Sequence, residues 1–87
     1  VNNSRVHLSR GEIAFLEGRY GDAETALRSG IGQTPYYYRW ELERGWRLLS
    51  RTLEARGEEK ESLFAAGLAD ALRGAPDAYQ AWIALAE

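Results

Sequence analysis

YRWELERGWRLLSRTL (residues 38–53) decides the fold class, because only one backbone geometry gathers its apolar side chains. Tyr38, Leu42, Trp46, Leu49 and Leu53 fall at i, i+4, i+8, i+11 and i+15. A helix of about 3.6 residues per turn draws these into one stripe, whereas a strand scatters them over both faces. The stripe is read as part of a helix over about 35–55, with Thr34 as its cap and Pro35 at its first position. Proline is tolerated there because the first N–H groups of a helix have no intrahelical partner.

Outward from this helix, turn-like clusters punctuate the chain: GRYGD at 18–22, GIGQTP at 30–35, RGE at 56–58 and GAPD at 74–77. The intervals have helix length. A first helix is expected over about 4–17, with Leu8, Ile13, Phe15 and Leu16 as its apolar residues. A second, over about 22–29, has Asp22 as N-cap and Ala23, Ala26, Leu27 and Ile31 facing inward. A fourth, over about 58–73, opens with acids and closes on arginine in agreement with the helix dipole, and its apolar side is Phe64, Leu68, Ala71 and Leu72. Asp77 is read as the cap of a last helix bearing Tyr79, Trp82, Ile83 and Leu85. β-branched residues are scarce and nothing alternates with period two, so the expected class is all-α, an antiparallel array of about five helices in one domain, 1–87.

Composition narrows the chemistry. With 45% apolar and 28% charged residues, the chain has the make-up of a globular protein rather than a disordered one. It has no cysteine and a single histidine, His7, which excludes thiolate and multi-histidine metal sites. No glycine-rich phosphate loop and no nucleophile–base pair is found, so no enzyme activity, cofactor or metal is expected. No apolar run is long enough to span a membrane. The net charge of −2 argues against nucleic acid and anionic membranes as partners. Because methionine is absent, Val1 is read as an internal residue of a longer protein, with the cytoplasm as the default location.

The helices pair into helix-turn-helix units, and the small residues follow a pattern. Gly11, Gly18, Ala23, Leu27, Gly30 and Pro35 stand at the spacings of the tetratricopeptide consensus. PDAYQAWIALAE (76–87) resembles it more closely, with Trp82, Leu85 and Ala86 at its Trp, Leu and small-residue positions after Pro76. The middle unit matches through Trp46, Leu49, Ser50 and Leu53 and then Phe64, Leu68, Ala71 and Pro76, with insertions near Gly57 and between Pro35 and Trp46. His7 and Arg10 depart from the family's Trp and Leu.

The chain thus resembles a tetratricopeptide-like domain with repeat one at about 4–35, repeat two at about 36–76 and a partial repeat or capping helix at 77–87. The resemblance implies a right-handed superhelical array, of the irregular kind found in larger bacterial regulatory proteins. It also implies a non-catalytic role in protein–protein interaction, as a scaffold that presents a groove to a peptide or helix of a partner. The lysine–asparagine–arginine clamp with which some members hold chaperone C-termini is missing, because Leu8, Glu12 and Leu48 occupy its positions.

Two sets of residues are candidates for contact. Trp40, Arg44, Arg47 and Arg51 recur at i, i+4, i+7 and i+11, and with Tyr37 they form a face suited to an acidic, aromatic-containing segment, since guanidinium pairs bidentately with carboxylate. The same face also reads as a solvated surface laced by Glu43–Arg47 and Arg51–Glu54 pairs. Leu8, Glu12, Phe15 and Leu16 form an apolar patch for a partner helix or for the rest of a parent protein. The second set is Trp82, Ile83 and Leu85, left uncovered in a partial repeat and therefore candidates for self-association into a homodimer. Aromatics interleaved with arginine also suit single-stranded nucleic acid, against which the acidic neighbours speak.

Overall fold

The computed structural model describes residues 4–35 and 38–86, with side chains through residue 84. Among the described residues there are five α-helices and no strand: α1 (Ser4–Leu16), α2 (Tyr20–Gln33), α3 (Arg39–Ala55), α4 (Glu59–Gly74) and α5 (Pro76–Ala86). No helix among these residues is long and apolar enough to cross a membrane.

Two of the turns are set by glycine. Gly18 and Gly57 both adopt φ of +80°, the left-handed conformation that ends helices without a Cβ penalty. Around Gly18, the Arg19 N–H reaches the Ala14 carbonyl at 2.8 Å and the Gly18 N–H that of Phe15 at 3.0 Å. The Glu58→Leu53 and Gly57→Glu54 bonds, at 2.9 and 3.0 Å, repeat this pattern after α3. In each case two otherwise orphaned carbonyls are satisfied and the chain reverses.

The α2–α3 connection corrects the sequence reading. Thr34 closes α2 instead of opening α3: its hydroxyl donates to the Gly30 carbonyl at 2.6 Å and its N–H to that of Ile31 at 3.2 Å. Thr34 is extended at ψ 120°, as a residue preceding proline prefers, and so can belong to neither helix. Helix α3 therefore starts at Arg39, and Tyr38 becomes its N-cap residue, 43% exposed rather than packed in the core. Proline does open a helix, but it is Pro76 of α5, with Asp77 in the first turn instead of at the cap. Likewise Arg19, not Asp22, precedes α2 as its cap residue.

Helices α1 and α2 touch through glycine. A Cβ built on Gly11 would stand 2.6 Å from Leu27 Cγ, and one on Gly30 2.8 Å from Leu8 Cδ2. A step of three residues back along α1 matches three forward along α2, so the pair is antiparallel. Gly45 brings α3 against the same seam, where its Cβ would meet Ile31 Cγ1 at 2.9 Å and Leu8 Cδ2 at 3.1 Å. The closeness of these crossings explains why the expected α1 stripe is only partly inside. Leu8 is buried with Gly11 and Ala14, while Ile13 is exposed and Leu16 is 76% exposed. At such separations only small side chains fit between helices.

The third helix is the centre of the core. Leu8, Leu27, Leu48, Leu49, Leu53 and Ala65 cluster on one side; Leu42, Leu68, Leu72 and Tyr79 cluster on the other. Ile31 and Trp46 pack against both. Each fully buried leucine contributes about 1.5–3 kcal/mol. Between α3 and α4, Ser50 Oγ donates to the Ser62 carbonyl at 2.9 Å and Ser62 Oγ to that of Ser50 at 2.8 Å. Trp46 Nε1 donates to Tyr79 Oη at 3.0 Å, joining α3 to α5.

Candidate functional site: a groove beside Trp40

Because α3 buries the Leu42–Leu49–Leu53 stripe, the side chains roughly a half-turn away point outward. Trp40, Arg44, Arg47 and Arg51 share that direction, and α1 supplies Glu12 opposite them. Together with Glu43 and Leu48 they line one groove of about 490 Å³. Trp40 is 86% exposed, an unusual state for a large aromatic. The structure brings together four of the five residues of the predicted contact face. The fifth, Tyr37, lies outside the described residues.

The arginines are not equivalent. Arg44 donates to Glu12 Oε1 across the groove. Arg47 reaches Glu43 Oε2 at 3.1 Å, the expected i, i+4 pair, and Asp70 Oδ1 of α4 at 2.7 Å. The hydrogen bond to Asp70, followed by that to Glu43, raises the Arg47 pKa above its already high ordinary value. It remains a fixed cation across the accessible pH range. The expected Arg51–Glu54 pair does not form, and Arg51 has no ion-pair partner among the described residues. One guanidinium of the ladder therefore faces the groove uncommitted.

A second groove, of about 290 Å³, adjoins the first. Arg39, Trp40, Glu43, Leu72 and Arg73 line it, so Trp40 and Glu43 belong to both. Arg73 lies 3.6 Å from Glu43 Oε2, the carboxylate oxygen that also receives Arg47. The sequence reading missed Arg39 and Arg73. Arg39 falls inside the longer helix that the sequence predicts, and Arg73 comes from α4, which no spacing within α3 could reveal.

The remaining candidates separate. Trp82 stacks on Phe64 with ring centroids 6.0 Å apart and planes 11° from parallel, and the two are 44% and 42% exposed. Ile83 is half-buried against the Leu42–Leu68–Leu72–Tyr79 cluster, and the side chain of Leu85 lies outside those described. Of the apolar patch on the first helix, Leu8 is in the core, Glu12 is in the groove and Phe15 sits 5.7 Å from Tyr20, ring to ring. His7 is half-buried.

Glu24, Glu58 and Glu61 bring carboxylate oxygens within 4.8 Å of one another. Arginine already compensates two of the three: Arg28 and Arg56 pair with Glu24 at 2.9 and 2.6 Å, and Arg28 with Glu61 at 3.5 Å. That arrangement is an ion-pair network holding α2, α3 and α4.

Comparison with protein-family profiles, with curated proteins and with solved structures finds no match for this chain.

Proposed function

We propose that this chain is a non-catalytic protein–protein interaction module, built as a tetratricopeptide-like right-handed array, whose Trp40 groove receives an acidic peptide or helix of a partner protein. The observation that carries the reading is the shared opening of Trp40, Arg44, Arg47 and Arg51 onto one groove, with Leu48 as its apolar floor. Aromatic and arginine side chains are the types enriched at energetically dominant interface positions. The repeat assignment, at about 4–35, 36–76 and 77–87, rests on the sequence spacing of Gly11, Gly18, Ala23, Leu27, Gly30 and Pro35 and on the likeness of 76–87 to the consensus. Residence in a larger, cytoplasmic, bacterial protein belongs to the same proposal.

Nucleic acid fits the groove less well, because Glu12 and Glu43 stand among the arginines. The test uses acidic, aromatic-containing peptides read by fluorescence anisotropy. Trp40→Ala and Arg51→Glu remove groove chemistry without touching an internal ion pair, and reversal of Arg44, Arg47 and Arg51 together abolishes capture with helicity retained by circular dichroism. Unchanged capture by all of these variants refutes the site.

A second reading, self-association, has its own observation in the half-open Phe64–Trp82 stack, beside an exposed Leu63. Light scattering over a range of concentrations tests it. A dimer that Trp82→Glu converts to monomer supports this reading, and a monomer at all concentrations removes it.

A further inference from the structure

Trp40 divides two grooves rather than ending one. On one side stand Arg44, Arg47 and Arg51, and on the other Arg39, Leu72 and Arg73, with Glu43 common to both. Taken as one channel, five arginines face Glu12 and Glu43, with Asp70 of α4 holding Arg47, so five cations meet three carboxylates on a chain whose net charge is −2. Positive charge is thus concentrated locally where the molecule as a whole carries the opposite sign.

The cations that internal pairs occupy are in the middle: Arg44 on Glu12, Arg47 on Glu43 and Asp70, and Arg73 near Glu43. Those without an ion-pair partner among the described residues, Arg39 and Arg51, line different grooves, one on each side of Trp40. Arg39 is also the first residue of α3, where the helix dipole disfavours a cation. Local stability gives no reason for it, and such exceptions gather at functional positions.

We infer that the groove of the proposed function continues past Trp40, and that it holds an extended acidic peptide whose two carboxylates flank an aromatic or large apolar residue. The inference rests on that proposal and specifies its ligand. Arg39 and Arg51 are twelve residues apart on one helix. At about 1.5 Å rise and about 100° per residue this is about 18 Å along the axis and about 120° around it. An extended chain advances about 3.3 Å per residue, so the two acids sit at least about six residues apart. One carboxylate pairs with Arg51 and the other with Arg39. Trp40 adjoins Arg39 in α3, so the intervening side chain that rests on its ring lies close to the acid paired with Arg39. Peptide N–H groups can face Glu12 and Glu43, whereas a phosphate backbone presents a charge at every nucleotide and is repelled there.

The test uses a fluorescein-labelled peptide, neutral except for two glutamates six residues apart, with a phenylalanine next to each on the inner side. Its companions carry Gln at one glutamate or the other. Arg39→Glu and Arg51→Glu are each expected to weaken the two-acid peptide roughly tenfold or more, as loss of a charge-assisted pair does. Each effect disappears against the companion lacking the matching acid. Both variants should keep the parent's circular dichroism, since neither residue holds an internal ion pair.

If Arg39→Glu binds the two-acid peptide as well as the parent while Arg51→Glu and Trp40→Ala lose it, the continuation is wrong and the single groove stands. A one-acid companion that binds the parent as tightly as the two-acid peptide would overturn the continuation in the same way. If no peptide binds at millimolar concentration, the inference and the proposed function fall together. Steeply salt-dependent binding of oligothymidine in place of the peptides would overturn both in favour of nucleic acid.

Discussion

Gly30→Ala and Gly32→Ala are the same substitution two residues apart in one helix, and the fold requires them to act in opposite directions. Alanine is the better helix former by about 0.8–1.0 kcal/mol in a helix interior, and somewhat less near an end. At Gly32 a new Cβ meets nothing within 4 Å, so this gain is all that changes. At Gly30 it would stand 2.8 Å from Leu8 Cδ2, 2.9 Å from Leu8 Cγ and 3.1 Å from the Leu8 backbone nitrogen. Leu8 is buried and held from the other side by α3, so the helices must part instead. Overpacking of this kind costs about 1–3 kcal/mol. The propensity term largely cancels between the two variants, so their difference reports the crossing alone. An entropy of about 2.1 cal/mol/K per residue makes each kcal/mol worth about 5 °C in a chain of this length. Thermal melts followed by far-ultraviolet circular dichroism should place Gly30→Ala about 5–16 °C below Gly32→Ala. Equal stabilisation by both would mean that α1 and α2 do not cross closely at this seam, and the account of why α1 buries small residues would fail.

Single contacts carry the remaining expectations. Tyr79→Phe removes the acceptor of the part-buried Trp46 Nε1 and is expected to lower stability by about 1–2 kcal/mol in urea unfolding, whereas loss of nothing would show that water replaces the contact. Ser50→Ala and Ser62→Ala each break one arm of a reciprocal pair and each also removes the 3.1 Å contact between the two hydroxyls, so the double variant should cost less than the sum of the singles, with a coupling of about 0.5–1 kcal/mol in a double-mutant cycle. Trp40→Ala should change the unfolding free energy by no more than about 0.5 kcal/mol, because the ring is already open to solvent; a larger loss would make Trp40 a structural residue. The raised pKa of Arg47 contributes stability that is fully present below the unfolded-state pKa and is lost only as pH rises through the still higher folded value. Arg47→Gln and the parent should therefore give parallel stability profiles between about pH 7 and 10, and divergence in that window would contradict the assignment.

The site was legible in the sequence to the extent that it lies on one helix. Trp40, Arg44, Arg47 and Arg51 share a face because of their spacing alone, and any α3 that buries Leu42, Leu49 and Leu53 must present them elsewhere. What the spacing lacked was their pairing state. Whether Arg44 is free depends on Glu12, which is near only because α1 packs beside α3. Arg47 is held more firmly by Asp70, which lies on another helix, than by the local pair foreseen with Glu43. Arg39 and Arg73 converge on Trp40 from the start of one helix and the end of another, a relation carried by no local pattern.

Local chemistry thus determined the helices and most of their ends. Glycines at positive φ stop α1 and α3 wherever those helices go, and a helical stripe of leucines must be buried against something. The tertiary structure decided what depends on distance between helices. Thr34-Pro35 offers caps to both neighbours, and Thr34 serves α2 because its hydroxyl and N–H find carbonyls there. Hydrophobicity marked Ile13 and Leu16 for the interior of α1, but Gly11 and Ala14 lie inside, because the separation of two packed helices is set by both surfaces at once. Periodicity along one chain segment carries the direction of a side chain; it carries no information on how close the next helix comes.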